Sequence, residues 1–168
     1  MAQERIETVT VEPWSEADFD LMCRLNTAEM TRYIGGPPTA QEIRSRHRDY
    51  VKYGYPVIVL PSGERVGEIG YWDRDWQGRT VWEMGWKVVP EFQRRGIASA
   101  AVRHILPRIM AEQKHDQIHA FPPVANAASN SVCRTTGFQL IGPCDFEFPE
   151  GNWLRCNDWR IDLTPVQR

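Results

Sequence analysis

Hydrophobic and polar positions change their period several times along the chain, and each change predicts an element. Residues Glu7 to Glu12 alternate, Val9 and Val11 against Thr8 and Thr10, which predicts a first strand. Ser15, with Asp18 three residues on, reads as the cap of a helix with Phe19, Leu21, Met22 and Leu25 as its apolar face. Gly35-Gly36-Pro37-Pro38 is a break. Thr39 with Glu42 then forms a capping box that opens a second helix reaching Tyr53. On that helix the run Arg44, Arg46, His47, Arg48 reads as a solvated face. Strands follow at Val57–Leu60, Arg65–Trp72 and Thr80–Val89, the last two joined by a polar loop around Gln77-Gly78. Ile97, Ala98, Ala101, Val102, Ile105, Leu106, Ile109 and Met110 fall at helical spacing, the strongest periodic signal here, and Pro107 inside that helix predicts a kink. A strand Gln117–Phe121, a helix Ala127–Thr136 closed by a left-handed Gly137, and strands Phe138–Ile141 and Leu154–Leu163 complete a mixed α/β order.

Composition narrows the function classes. A chain of 168 residues, 42% hydrophobic and 25% charged, is expected to form a single globular domain over 1–168. The apolar runs fall short of a bilayer span, and the N-terminal residues lack a secretory pattern, so the expectation is a cytoplasmic protein with no membrane partner. Twenty basic against 22 acidic residues give a net charge of -2, which argues against nucleic acid as a partner. Cys23, Cys133, Cys144 and Cys156 form no C-x-x-C pair and are expected as reduced thiols. His115 and His119 sit at a strand start, where four residues span over ~12 Å, so no metal site is expected. Trp72, Trp76, Trp153 and Trp159 serve as core and edge packing or wall a ligand cleft.

Chemistry concentrates in Val88-Val89-Pro90-Glu91-Phe92-Gln93-Arg94-Arg95-Gly96-Ile97-Ala98-Ser99, where a strand ends, a tight turn follows and a long helix begins. Backbone N–H groups of such a turn add to the positive end of the helix dipole and make an anion site. Gly96 and Ala98 let a diphosphate approach the main chain, and Gln93, Arg94 and Arg95 supply further donors. The loop is neither a Walker loop nor a dinucleotide fingerprint. A second stretch, Asn126 to Phe138, follows the next strand and includes Ser129-Asn130 and Gly137-Phe138.

Together, these two stretches resemble the GNAT family of acyl-CoA-dependent N-acetyltransferases, and within it the branch of the ribosomal-protein N-terminal acetyltransferases. The resemblance runs from about Ile6 to Leu163. It implies an α/β GNAT fold, a mixed central sheet of about seven strands splayed between strands four and five, with about four helices. It implies acetyl-CoA as co-substrate, with the pantetheine arm paired to the backbone of Trp86, Lys87 and Val88. The diphosphate would rest on the amides from Arg94 through Ile97 to Ser99, and Asn126 and Asn130 would contribute to cofactor binding. Asn126 reads equally as an ordinary helix cap.

Acetyl transfer to a primary amine needs a general base, because a Lys amine with a pKa of about 10.4 or an α-amine near 8 is mostly protonated at neutral pH. It also needs donors for the oxyanion and a partner for the departing thiolate. Two carboxylates are candidates for the base. Glu83 lies near where relatives carry a glutamate, and Glu147 precedes Phe148 in a segment that resembles the branch's catalytic Glu-Phe. Relatives carry a tyrosine acid where this chain has Cys133, and Ser129 matches a serine that the branch uses instead. The loop Tyr33 to Pro38 is a turn that in this branch also lines the acceptor end of the cleft. The expectation is direct transfer to an amine acceptor, a protein N-terminus or a small amine such as an amino acid, polyamine or antibiotic. A homodimer stays open, and the alternative is a non-catalytic acyl-CoA-binding module.

Overall fold

The computed structural model describes residues 5, 6 and 8–163. The strands are β1 (Thr10–Pro13), β2 (Pro56–Val59), β3 (Arg65–Trp76), β4 (Arg79–Val88), β5 (Gln117–Ala120), β6 (Gln139–Glu147) and β7 (Trp153–Asp162). Among the described residues, four α-helices accompany them: α1 (Phe19–Arg24), α2 (Ala40–Tyr53), α3 (Ile97–Glu112) and α4 (Ala127–Thr135). The sheet order is β1-β2-β3-β4-β5-β7-β6. β4 and β5 are parallel, in register at Trp82↔Ile118 and Glu83↔His119, while β5/β7 and β6/β7 are antiparallel. The mixed seven-stranded sheet is the one the resemblance implies. The chain forms two compact units, one of residues up to Gly70 with Trp86–His104, the other of Tyr71–Gly85 with Ile105 onward.

In the first unit the core is built from Met22 of α1 and Leu25 just after it, Val57 and Ile58 of β2, Val66 and Ile69 of β3, and Ile97, Ala101 and Val102 of α3. Thr39 caps α2 as expected: its Oγ1 accepts from the Glu42 amide at 3.2 Å while Glu42 accepts from the Thr39 amide at 2.6 Å. The solvated face expected on α2 is only partly so. His47 is buried, its Nδ1 accepting from Trp14 Nε1 at 3.0 Å. Arg46 donates to Asn26 Oδ1 at 2.8 Å, an oxygen that also accepts from Lys87 Nζ at 3.1 Å. The first strand is shorter than its alternation predicts, starting at Thr10, and Glu7 lies outside the described residues.

In the second unit Val81, Met84, Ile105, Ile109, Ile118, Cys133, Phe138 and Trp159 form the core. β3 continues four residues past its predicted end at Trp72. Gln77 (φ 49°) and Gly78 (φ 81°) are both left-handed, a two-residue hairpin turn that leaves no room for the loop expected there. α3 runs unbroken through Pro107, on its exposed side, and Met110 is exposed rather than part of the apolar face. At the end of α4, Gly137 (φ 95°) is left-handed and the Phe138 amide donates to the Cys133 carbonyl at 3.1 Å, a closed C-terminal cap. Among the described residues no helix is long and apolar enough to cross a membrane.

Asp18, in the 3₁₀ turn Glu16–Asp18 that leads into α1, is the buried tie of the first unit. Its Oδ2 accepts from the Ser15 amide at 2.8 Å, and Arg65 of β3 reaches both its oxygens at 2.6 and 2.8 Å. Burial pushes this carboxyl up, but the Arg65 and Ser15 hydrogen bonds outweigh it and hold the carboxyl below its ordinary value. Asp18→Asn is therefore expected to lower unfolding stability by about 2 kcal/mol at pH 7, a usual size for hydrogen bonds to a charged group. The folded carboxyl titrates below the unfolded one, so this stabilisation is full above the unfolded value of about 4 and is lost as pH falls through the folded one. Urea unfolding of both proteins from pH 7 to pH 3 should show the gap close on the acid side.

Candidate active site

The turn between β4 and α3 keeps the conformation its composition suggests. After the 3₁₀ turn Pro90–Phe92, Arg94 (φ 63°) and Gly96 (φ 79°) are both left-handed. For Arg94 that conformation costs roughly 1 kcal/mol, a local strain of the kind that collects at functional sites. At Gly96 a Cβ would meet the Ile6 carbonyl oxygen at 3.4 Å and Arg5 Nε at 3.5 Å. The first intrahelical bond runs from the Ala100 amide to the Gly96 carbonyl at 3.0 Å, so the amides of Ile97, Ala98 and Ser99 precede the α3 ladder. Arg95 stacks over Phe92 at 5.1 Å and its Nε is buried with no partner; Trp86 Nε1 is likewise buried and unpaired. An unpaired buried donor on Arg95, next to the helix-start amides, suits a ligand rich in acceptor oxygens, and the residues of this loop therefore fit a CoA diphosphate. One expected backbone acceptor is engaged already: the Val88 carbonyl accepts from Gln93 Nε2 at 2.9 Å.

Under the same stretch of β4 lies a buried charge cluster that the sequence reading passed over. Glu68 is fully buried and its Oε2 has no partner. Burial pushes its carboxyl up, against the nearby cations Lys87 and Arg46 and a hydrogen bond from Tyr50. Burial also pushes the Lys87 amine down, and Glu68 opposes that.

The second unit carries the candidate bases. Glu83 is buried; its Oε2 accepts from Trp72 Nε1 at 2.9 Å and from Arg74 Nε at 2.5 Å. The edge of the Trp72 indole reaches Gly85 on the next strand, where a Cβ would stand 3.0 Å from Cη2. The Arg74 guanidinium stacks over Phe146 at 4.8 Å, and Phe146 packs on Phe121. Trp76 Nε1 and His119 Nδ1 both engage Asp158, at 3.1 and 2.6 Å. His115 pairs with Asp73 at 2.8 Å instead, and among the described residues no His, Cys, Asp and Glu group is placed to hold a metal. Glu147 is exposed near the tip of the β6–β7 hairpin, where it accepts from the Gly151 amide at 2.8 Å. It follows Phe146 directly, so the strand pleat turns it to the opposite face from Phe146, Arg74 and Glu83. The two candidate bases do not share a surface.

On α4 the four expected residues divide. Asn126 caps the helix, its Oδ1 accepting from the Ser129 amide at 3.2 Å, and Ser129 is half-buried one turn along. Asn130 is buried and saturated. Its Nδ2 donates to the Pro123 and Asn126 carbonyls at 3.0 and 2.8 Å, and its Oδ1 accepts from Asn157 Nδ2 and Trp159 Nε1 at 2.8 and 2.9 Å. A side-chain amide has two donors and two lone pairs, so none remains for the cofactor role expected of Asn130. Cys133 is fully buried, and burial pushes its thiol up to about 12. Trp159 is thus a core donor, while Trp153 is exposed. All four cysteines are free, and Cys144 stands directly opposite Cys156 across β6 and β7.

The pattern of the acetyltransferase (GNAT) domain matches residues 8–139. The chain belongs to the GNAT family. It is accordingly an acyltransferase of the acetyltransferase class. Its fold is shared with a GNAT-family acetyltransferase from Bacillus anthracis, at 21% identity over 95% of this chain and 98% of that one with a TM-score of 0.78. It is shared also with AAC(6')-Ib, solved with paromomycin and acetyl-CoA, at 17% identity, 92% and 93% coverage and a TM-score of 0.75. The ribosomal-protein-S5-alanine acetyltransferase from Vibrio fischeri matches at 16% identity over 100% of both chains, with a TM-score of 0.74. No curated protein matches the GNAT chain in sequence.

Arg74, which holds Glu83, is the residue of this cluster that the sequence did not single out. The signal was present, since Trp72, Arg74 and Trp76 alternate with polar residues and continue the period of β3. Asn130→Ala tests the structural assignment made for that residue. It removes four hydrogen bonds and strands buried donors on Asn157 and Trp159, so thermal unfolding should report a loss of about 3 kcal/mol. Calorimetric affinity of the folded mutant for acetyl-CoA should stay within about threefold of wild type, the difference expected if no cofactor contact is lost.

Proposed function

We propose that this GNAT protein transfers the acetyl group of acetyl-CoA directly to a primary amine, with Glu83 as the general base. The observation that carries this reading is the asymmetry of the Glu83 carboxylate. Trp72 and Arg74 hold Oε2, and among the described residues no donor is assigned to Oε1. A carboxylate fixed through one oxygen keeps the other for an incoming amine. Gln93 to Ser99 hold the diphosphate through the α3 amides and Arg95, and the backbone of Trp86 to Val88 receives the pantetheine arm. Asn126 orients that arm while capping α4.

Ser129 donates a hydrogen bond to the departing thiolate. Cys133 is the weaker choice. A thiol at about 12 would give its proton to a thiolate of ordinary pKa, about 8.5, only at a cost of roughly 5 kcal/mol. The acidity that made it a candidate is removed by burial. Glu147 is a poorer base than Glu83 because it lies on a hairpin tip, exposed to water and tied to the turn that follows it.

Two outcomes test this. Gly96→Glu places a carboxylate where the diphosphate sits and forces a side chain into a left-handed position, so calorimetry on the folded mutant should find no acetyl-CoA binding. Unchanged affinity there would remove the loop from the site. Glu83→Gln should lower turnover about 10²-fold or more at limiting amine, with acetyl-CoA affinity kept. Full turnover would pass the base role to another group.

A further inference from the structure

We propose that the acceptor is a compact amino acid, and that Arg74 binds its carboxylate beside Glu83. The inference rests on the amine-acetylation reading above and names the substrate class for that site.

The pleat of β3 and β4 sends Trp72, Arg74, Trp76 and Glu83 to one face, while Tyr71, Asp73 and Trp82 on the other meet Glu112, Lys114 and His115. On the first face Arg74 is held at two points. Its Nε donates to Glu83 Oε2 at 2.5 Å, and its guanidinium plane rests on the Phe146 ring at 4.8 Å. The plane is therefore fixed. Its Nη1 and Nη2 edge has no acceptor assigned among the described residues, and the side chain is 32% exposed. A fixed guanidinium edge with two parallel donors is the geometry that takes a carboxylate in a bidentate pair.

Charge on this face points the same way. Arg74 neutralises Glu83, and Asp158 is occupied by His119 and Trp76. A polycationic amine would find Asp158 engaged, one oxygen left on Glu83 and a guanidinium facing its further charges, whereas an anionic group finds a cation with donors to spare. Arg74 and Glu83 are in direct contact, so groups bound to the Nη edge and to Glu83 Oε1 belong to one small molecule with its amine and carboxylate a few bonds apart. The indole of Trp72, 37% exposed and with its Cη2 edge against Gly85, offers that molecule's hydrocarbon part an apolar wall. The N–C bond forms as the thioester C–S bond breaks. One amine proton passes to Glu83 and the thiolate takes a proton from solvent, giving an N-acetyl amino acid and CoA.

The test is a comparison of acids with their own amides. The purified chain and acetyl-CoA are given free α-, β- and γ-amino acids, the matching primary carboxamides, and the polycations spermidine and kanamycin, with CoA thiol release followed. We expect the best amino acid to exceed its carboxamide in kcat/KM by about 100-fold, the usual scale for a charged bidentate contact. Arg74→Gln also frees Glu83 Oε2 from the guanidinium, so kcat should fall for acid and carboxamide alike. KM should rise about 100-fold more for the acid than for the carboxamide, and Arg74→Lys should restore part of that difference. A merely structural Arg74 would shift KM for acid and amide alike, and that result overturns the proposal, as does a wild-type preference for carboxamides or polycations. Turnover confined to polycations sinks this inference and leaves the acetyltransferase reading standing. No turnover with any amine, while calorimetry still finds acetyl-CoA bound, sinks both.

Discussion

A strand has two faces, and the pleat of β3 and β4 divides the chemistry of the second unit between them. Even-numbered positions of β3 beyond Gly70 and Glu83 of β4 share one face, so a tryptophan, an arginine and a carboxylate meet although nine to eleven residues separate them in the chain. The neighbours left over, Tyr71, Asp73 and Trp82, tie the other face to the end of α3 and the segment after it. A slip of one residue in the Gln77-Gly78 turn would exchange the two sets and put Asp73 where Arg74 now lies. The left-handed pair in that turn is thus a condition for the site, not a decoration of the loop.

Three buried carboxylates show three ways of carrying a charge in this protein. Asp18 is surrounded by donors from Ser15 and Arg65 and sits below its ordinary pKa. Glu68 lacks a donor for one oxygen and is pushed up by burial, which its neighbouring cations counter. Glu83 has its donors gathered on a single oxygen. The first arrangement stabilises, the second strains, and the third leaves one atom available. The availability is what separates a base from a structural ion pair.

Local signals in the chain were readable and distant ones were not. Thr39 with Glu42 could be read because a capping box closes within one turn, and the Gly96 turn because its glycine and the helix after it adjoin. His47 looks solvated beside three arginines, yet its partner Trp14 is 33 residues away. Asp73, Arg74 and Asp75 look like loop because they are charged. They are strand because Lys114, His115 and Glu83 neutralise two of them from elsewhere in the chain. Asn130 reads as a ligand from its motif alone. Its acceptor oxygen is taken by Asn157 and Trp159, 27 and 29 residues later, and nothing near it in sequence announces that.

Cys144 and Cys156 face each other across β6 and β7, a placement that invites a covalent bridge. Their environment withholds the reagent for it. Burial pushes Cys144 up to about 11 and Cys156 to about 12, the latter raised further by its sulfur neighbour and by Glu83. At neutral pH roughly one sulfur in ten thousand or fewer is then the nucleophilic anion. Exchange with passing disulfides slows, by less than that fraction because a more basic thiolate is the stronger nucleophile. The hydrophobic packing that seats Phe121 and Phe146 against Cys156 thereby gives this hairpin a kinetic resistance to oxidation that owes nothing to the redox poise of its surroundings.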